Sequence, residues 1–431
     1  MNRRVVVTGM GIVAPNGTGV ANFNTALQRG ESGIRFIEEL KNLNFNCQIG
    51  GVPTIDNNAL APYLPSYNIE TLSLVVRYAC LAAIEAWQDA GLSVPDIDSP
   101  EPNWDTGLIL GTGLAALDVI GQKNVPLVDA GKIKRLGSTM IEQIMVSGNS
   151  AYVSGILALG NQVSTISSAC STGTEALISA YMRVRDGKAN RMLAGGSEAY
   201  TPYIWGGFDS MRVMNGNSNA DPTAGSKPMS ANANGFVPGA GAGILILEEL
   251  ETALARGAKI YAEIVGGAVN CGGQRMGGSM TAPNSIAVQH CIKAAMQDGN
   301  IQTHQIDAIS GHLSSTMADP VEVNNWAEAL GRTGSDFPYI NSTKSLVGHC
   351  LGAAGAIESI AAVLQIHQGF MHPSLNANPV HEKIQQTIDI SKCIPNNTLY
   401  LPEINYLAKA SFGFGDVNSC IIFKKHNLDF R

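Results

Sequence analysis

Between Asn161 and Ala180 the chain has to change from strand to helix across a bend made of small residues. Val163-Ser164-Thr165-Ile166 is a largely β-branched run that predicts a buried strand. Gly173 to Ala180 reads as the start of a helix running to about Arg185. Between them lie Ser167, Ser168, Ala169 and a single thiol, Cys170. A sharp strand-to-helix turn presents the residue at its bend, close to a helix N-terminus whose free N–H groups and positive dipole end favour an anion. A cysteine there is expected to have a lowered pKa and to act as a nucleophile. The same stretch also fits a small buried core cysteine, and the rest of the chain has to decide between the two.

The flanking segments have α/β rhythm. Arg4 to Thr8 predicts a strand leading into Gly9-Met10-Gly11. This is the start of a dinucleotide fingerprint, but Pro15, Asn16 and Gly17 then spell a turn where the fingerprint needs a helix. Ser73 to Ala90 predicts a long apolar helix stopped by Gly91, and Trp104 to Leu114 a buried strand. Asp129 to Arg135 gathers Lys132, Lys134 and Arg135, either a solvated loop or a docking patch for an acidic partner. Arg191 to Gly196 predicts the next strand, Asn217 to Asn234 a long surface loop, Ile244 to Leu247 a strand and Glu248 to Arg256 a helix ended by Gly257.

The second half repeats the rhythm. Strands are expected at Tyr261–Val265, Ile306–Ile309 and Pro338–Ser342, helices at Ser285–Gln297 and Leu351–Gln368, and a hairpin over Lys409–Phe423. Two α/β halves of related topology follow, residues 1–257 and 258–431, although their self-similarity in sequence is faint.

Composition narrows the function. At 431 residues with only 15% charged side chains and 47 glycines, the chain is expected to bury a large surface, part of it at a subunit interface. A net charge of −7 argues against nucleic acid as a partner. Eight scattered cysteines with no CxxC pair suit reduced thiols in a cytosol, so a cytoplasmic location is expected. The basic, apolar N-terminus mimics a signal peptide weakly, but Gly9, Gly11 and Pro15 break it early. No apolar run reaches the ~18 residues that span a bilayer, so no membrane is expected.

Most of the histidines (His290, His304, His367, His372, His381, His426) carry no functional context, and no Cys/His cluster suggests a metal. His312 and His349 differ, each closing a predicted strand among Gly, Ser and Thr. One of them with Cys170 could form a hydrolase-like pair. A pair of them suits different chemistry, donating two hydrogen bonds to one carbonyl oxygen while a carbanion beside it is held as an enolate.

The runs Ser168-Ala169-Cys170-Ser171-Thr172-Gly173, Gly311-His312, Ser342-Thr343-Lys344 through His349 to Gly355, and Ser411-Phe412-Gly413-Phe414-Gly415 stand in the order found in β-ketoacyl–acyl carrier protein synthases. The chain resembles their elongating Cys-His-His class from Val5 to about Phe423. The resemblance implies a thiolase-like fold of two related α/β halves in five layers, α-β-α-β-α, and a homodimer, with a heterodimer of related subunits as the alternative. It implies that Cys170 takes an acyl group from acyl carrier protein and that His312 and His349 hold the thioester oxygen of malonyl-carrier during decarboxylation. It further implies an oxyanion hole from the N–H groups of Cys170 and Phe414, with Phe414 gating an acyl pocket that Leu114 and Phe208 line. Lys344 would order the site, supported by Glu358 and Thr316. Lys132, Lys134, Arg135 and Arg212 would dock the carrier. No tightly bound cofactor and no metal are implied, since the phosphopantetheine arm arrives on the carrier.

The chain also departs from the family's pattern. Leu313-Ser314-Ser315-Thr316-Met317 replaces Gly-Thr-Ser-Thr-Pro after His312, Ala240 replaces an acidic residue, and Asp416 replaces the last glycine of the Phe-Gly-Phe-Gly-Gly loop. These changes point to a specialised acyl chain, such as a polyene, rather than housekeeping elongation. The alternatives are a chain-length-setting partner subunit, which usually lacks the cysteine, and an acyl-transfer enzyme on the same fold.

Overall fold

The computed structural model describes residues 3–401 and 403–426. Val5–Ala14, ten consecutive buried residues, forms β1. The first half continues with α1 (Leu74–Asp89), β2 (Thr106–Gly111), α2 (Gly148–Leu157), β3 (Val163–Ile166), α3 (Thr172–Arg185), β4 (Arg191–Glu198) and β5 (Gly241–Glu249). The second half runs β6 (Ala262–Cys271), α4 (Ser285–Asp298), β7 (Ala308–Ser310), α5 (Asp319–Leu330), β8 (Tyr339–Asn341), α6 (Ala354–Gln368), β9 (Tyr406–Gly413) and β10 (Val417–Lys425).

Across the sheet the strands lie in the order β8-β7-β9-β10-β6-β1-β5-β4-β2-β3. Outward from the centre, each half repeats the other: β1, β5, β4, β2, β3 against β6, β10, β9, β7, β8. The directions repeat too. β2 is parallel to β3 and β4, as β7 is to β8 and β9, and the inner strands are antiparallel. β1 and β6 pair over Val5–Val7 and Ala262–Ile264, which stitches the halves together.

Helices α1 and α2 cover the outer face of the first half, and α4 and α5 cover that of the second. Helices α3 and α6 pack on each other and on strands of both halves, giving the five expected layers. These central helices touch at their starts. A Cβ on Gly173 would lie 2.6 Å from Ala356 N, and one on Gly355 2.5 Å from Thr174 N. Only glycine permits that approach, which explains the glycine-alanine opening of α6 and brings the two strand-to-helix bends together.

The bends match in backbone detail. Ala169 and Leu351 both have positive φ, 51° and 49°, and each opens a single 3-10 turn that leads straight into a central helix. The duplication is thus plain in the backbone while faint in the residues.

Several expected segments differ. All four β3 residues are half-buried rather than buried, because β3 pairs only with β2 and leaves its other edge open. Trp104 is 64% exposed and lies outside β2. Strand β5 runs on through Glu248, whose buried carboxylate is held by Arg191 and Arg256 at 2.6 and 2.7 Å, so the following helix covers Leu250–Ala255. Asn217 to Asn234 is a surface loop only in part: Asn217, Asp221, Thr223, Asn232 and Asn234 are exposed, while Ser218, Ser226, Met229 and Ser230 are buried. Its polar groups have partners inside, with Ser226 Oγ donating to Lys344 O and Met229 N–H to the Asp319 carboxylate.

Candidate active site

The C-terminal ends of the parallel strands from both halves converge, and every expected catalytic group stands there. Cys170 follows β3, His312 follows β7, Lys344 and His349 follow β8, and Phe414 follows β9. Cys170 Sγ and one ring nitrogen each from His312 and His349 lie within 4.8 Å of one another. The two imidazoles meet edge to face, with centroids 5.3 Å apart. Cys170 is half-buried, while His312 and His349 are buried.

The rings are held in one tautomer. His349 Nδ1 accepts the Leu351 N–H at 3.1 Å. His312 Nδ1 faces Lys344 Nζ at 3.3 Å, and an ammonium can only donate. Nε2 of each ring therefore carries the proton. Burial first, then the Lys344 charge, pushes both rings well below the usual histidine value of 6.5, so they stay neutral. Two neutral N–H donors suit an oxygen that is gaining charge. A three-residue set this close could also cage a metal, but a ligating Nε2 would have to lose its proton to the other nitrogen, which already faces a donor in each ring.

Cys170 overturns the expectation of a lowered thiol pKa. Burial pushes it up to about 11, against the opposing pull of Lys344 and the Phe414 N–H directed at the sulfur. Desolvation of the thiolate outweighs the Lys344 charge and the Phe414 N–H together.

Beneath the rings lies a buried charge ladder. Lys344 Nζ contacts Glu358 Oε1 at 2.5 Å and donates to His312 O at 2.6 Å. Glu358 Oε2 takes a second lysine, Lys409, at 2.8 Å. Lys409 also donates to Ser411 Oγ at 2.7 Å. Sequence reasoning misses Lys409, because one lysine in an alternating hairpin strand looks like a solvent-facing residue. It also misses Glu322, whose carboxylate accepts the His312 and Leu313 N–H groups at 2.7 Å each. Asp319 holds the next turn through the N–H groups of Ser314 and Ser315 at 2.9 and 3.1 Å. The signal for both acids is their place in the first turn of α5, which reads as ordinary helix capping. On the other side, Glu198 at the end of β4 accepts from Gly113, Leu114 and Gly352 at 2.9, 3.2 and 2.9 Å.

Glu358→Gln would leave two buried ammonium groups facing each other. It is expected to cost about 3–5 kcal/mol in denaturant unfolding, against a smaller loss for Lys409→Met, which keeps the Lys344–Glu358 pair. Equal losses would mean the ladder does not act as a unit.

The other expected residues lie around this centre. The Phe208 ring is 6.2 Å from Phe414 and 5.5 Å from Phe236, and Phe236 stands 5.3 Å from His349. Leu114 is 40% exposed, on the loop whose Gly113 O accepts from Ser167 Oγ. Thr316 Oγ1 bonds Ser314 Oγ at 3.0 Å and so braces the loop after His312. Lys132, Lys134, Arg135 and Arg212 are exposed, Arg212 just beyond the helix that carries Phe208.

Residues 2–253 match the family model for the N-terminal domain of beta-ketoacyl synthase, and residues 261–378 the model for its C-terminal domain. A chloroplastic 3-oxoacyl-[acyl-carrier-protein] synthase I of Arabidopsis thaliana is 34% identical over 426 residues, covering 98% of this chain and 86% of that protein. Among solved structures, a type II PKS acyl-carrier protein in complex with its ketosynthase bound to the hexaketide superposes with a TM-score of 0.86 at 31% identity, over 99% of this chain and 100% of that one. The ishigamide ketosynthase/chain length factor superposes with a TM-score of 0.87 at 26% identity, with the same coverage. The fold is thiolase-like, as these ketosynthase neighbours are.

Proposed function

This chain belongs to the β-ketoacyl synthase family, and from that premise we propose that Cys170 is the nucleophile, and His312 and His349 the oxygen-binding donors, of a decarboxylating Claisen condensation. The enzyme is a 3-oxoacyl-[acyl-carrier-protein] synthase of fatty acid or polyketide synthesis. The observation that carries the residue roles is the cluster itself: one sulfur and two imidazoles within 4.8 Å, each ring with its Nδ1 already occupied.

In the first half-reaction Cys170 Sγ attacks the thioester of acyl carrier. The new C–S bond forms, the old one breaks, and the thiol proton leaves on the phosphopantetheine sulfur. The N–H groups of Cys170 and Phe414 hold the oxyanion. In the second, the malonyl thioester oxygen accepts from His312 and His349 Nε2–H. The bond to the carboxylate breaks, carbon dioxide leaves, and the electron pair becomes an enolate whose carbon attacks acyl-Cys170. The C–S bond breaks, the 3-oxoacyl product stays on the carrier, and the Cys170 thiolate takes up one proton from water to regenerate the thiol. Burial, reinforced by the charge of Lys344, keeps both rings neutral for this work.

The phosphopantetheine arm is substrate here, arriving on the carrier. The exposed Lys132, Lys134, Arg135 and Arg212 support docking of that acidic partner. A homodimer is supported by the open edge of β3 and by the exposed apolar run Val125, Val128, Ile133, Ile141, Met145 and Val146. A heterodimer with a related subunit is the alternative assembly. No helix among the described residues is long and apolar enough to cross a membrane, and the reduced-thiol composition favours the cytoplasm.

The buried Leu313 and Asp416, where the family carries glycine, favour a specialised acyl chain. The test is a panel of saturated and unsaturated acyl-carriers, each given with malonyl-carrier. One carbon dioxide per 3-oxoacyl product is expected, with the higher rates on unsaturated chains. Equal or better rates on saturated chains would reject the specialised substrate. No condensation with any donor would favour a chain-length-setting partner subunit.

A further inference from the structure

One buried carboxylate joins the loop between β6 and α4 to the turn between β9 and β10. Asp416 is fully buried, at φ 64°. Its Oδ2 accepts the Gln274 N–H at 2.9 Å, and its Oδ1 the Asn284 N–H at 2.8 Å. Backbone bonds run alongside: Gly272 N–H donates to Asp416 O at 2.9 Å, and Gly415 N–H to Met280 O at 2.8 Å. The opposite loop is shaped to receive the carboxylate. A Cβ on Gly272 would lie 2.1 Å from Oδ2, and one on Gly278 2.5 Å from it.

The other side of the same turn touches the nucleophile. Phe414 directs its N–H at Cys170 Sγ and its ring toward Phe208. The turn is therefore clamped between the reacting sulfur and the 272–284 loop. It cannot leave the sulfur alone. It must carry that loop with it, or abandon a buried carboxylate that loses both N–H partners at once.

We propose that Asp416 is the latch of the Phe414 turn, a positioning residue that sets how readily the turn uncovers Cys170 and so which acyl donors reach it. This rests on the reading of Cys170 as the acyl acceptor. Long chains need the wider displacement, so they feel the latch most. Malonyl decarboxylation is governed by His312 and His349 and does not require the turn to move off the sulfur.

Asp416→Gly suits the local φ and removes only the carboxylate, whereas Gly278→Ala keeps the carboxylate and displaces it. Deuterium uptake is measured by peptide for 272–284 and 412–417. Separately, the rate of acyl transfer to Cys170 is measured with short- and long-chain acyl-pantetheine, and carbon dioxide release with malonyl-pantetheine. Both variants are expected to raise exchange in both loops together. They are expected to speed long-chain acylation by at least about tenfold, the worth of one of the two charge-assisted hydrogen bonds the carboxylate makes, while carbon dioxide release stays within about twofold. Asp416→Asn, which keeps one acceptor, should fall between. Unchanged long-chain acylation, or exchange raised only in 272–284, would overturn the latch. If the wild type carries no acyl group on Cys170, the nucleophile assignment fails, and coupled or uncoupled exchange of the two loops still decides whether Asp416 ties them.

Discussion

Cys170→Ala is expected to lose 3-oxoacyl product by on the order of 10⁴-fold or more while still releasing carbon dioxide from malonyl-carrier. The two activities separate because they use different atoms. Condensation needs the sulfur to hold the acyl group. Decarboxylation needs only the two Nε2–H donors, and their tautomers are set by Leu351 N–H and Lys344, neither of which depends on the thiol. Removing the sulfur also frees space beside both rings, since all three groups share a 4.8 Å cluster. The variant should fold normally, because Cys170 is half-buried and the bend it occupies is fastened by its neighbours. Ser171 Oγ donates to Ser411 O at 3.1 Å and to Val417 O at 3.0 Å, and Thr172 Oγ1 to Ala169 O at 2.6 Å. A variant without Cys170 that still made 3-oxoacyl product would defeat the assignment of the nucleophile.

His349→Ala is expected to do the reverse. Loss of one of two donors to the developing enolate should slow decarboxylation by about 10²–10³-fold. Acyl transfer to Cys170 should continue, because its oxyanion is held by backbone N–H groups. Some loss there is expected as well, since the variant strips the Leu351 N–H of its acceptor at the positive-φ residue that opens the 3-10 turn leading into α6. The pH dependence follows from the same burial. Both rings are held well below 6.5, so wild-type decarboxylation should stay flat from neutral pH down past that value and fall only in more acidic solution. An acid limb centred at 6.5 would mean that the rings titrate as if exposed.

What the residues disclose is local. The β-branched run, the small bend and the helix start around Cys170 are contiguous, and so is the block from Lys344 to Gly355. What they conceal depends on distant partners. Lys409 sits in a strand pattern that gives no hint of Glu358 on a central helix. Asn217 to Asn234 mixes exposed polar residues with buried ones, and nothing local marks that Ser226, Lys227 and Met229 bond to Lys344 O and to the His312 loop. The thiol's raised pKa is hidden for a related reason. The helix terminus is visible in the chain, but the protein packed around the sulfur, which dominates its ionisation, is not. The duplication shows the same division: Ala169 and Leu351 share a backbone role with no chemical likeness.

The most direct measurement follows the mass of the intact protein through one turnover. Acyl-carrier alone should add one acyl group, mapped to the Cys170 peptide and absent from Cys170→Ala. Malonyl-carrier should then discharge it, with one carbon dioxide and one 3-oxoacyl-carrier per group lost. An acyl group on any other residue, or one on Cys170 that malonyl-carrier cannot discharge, would contradict the condensation chemistry assigned to this sulfur and these two imidazoles.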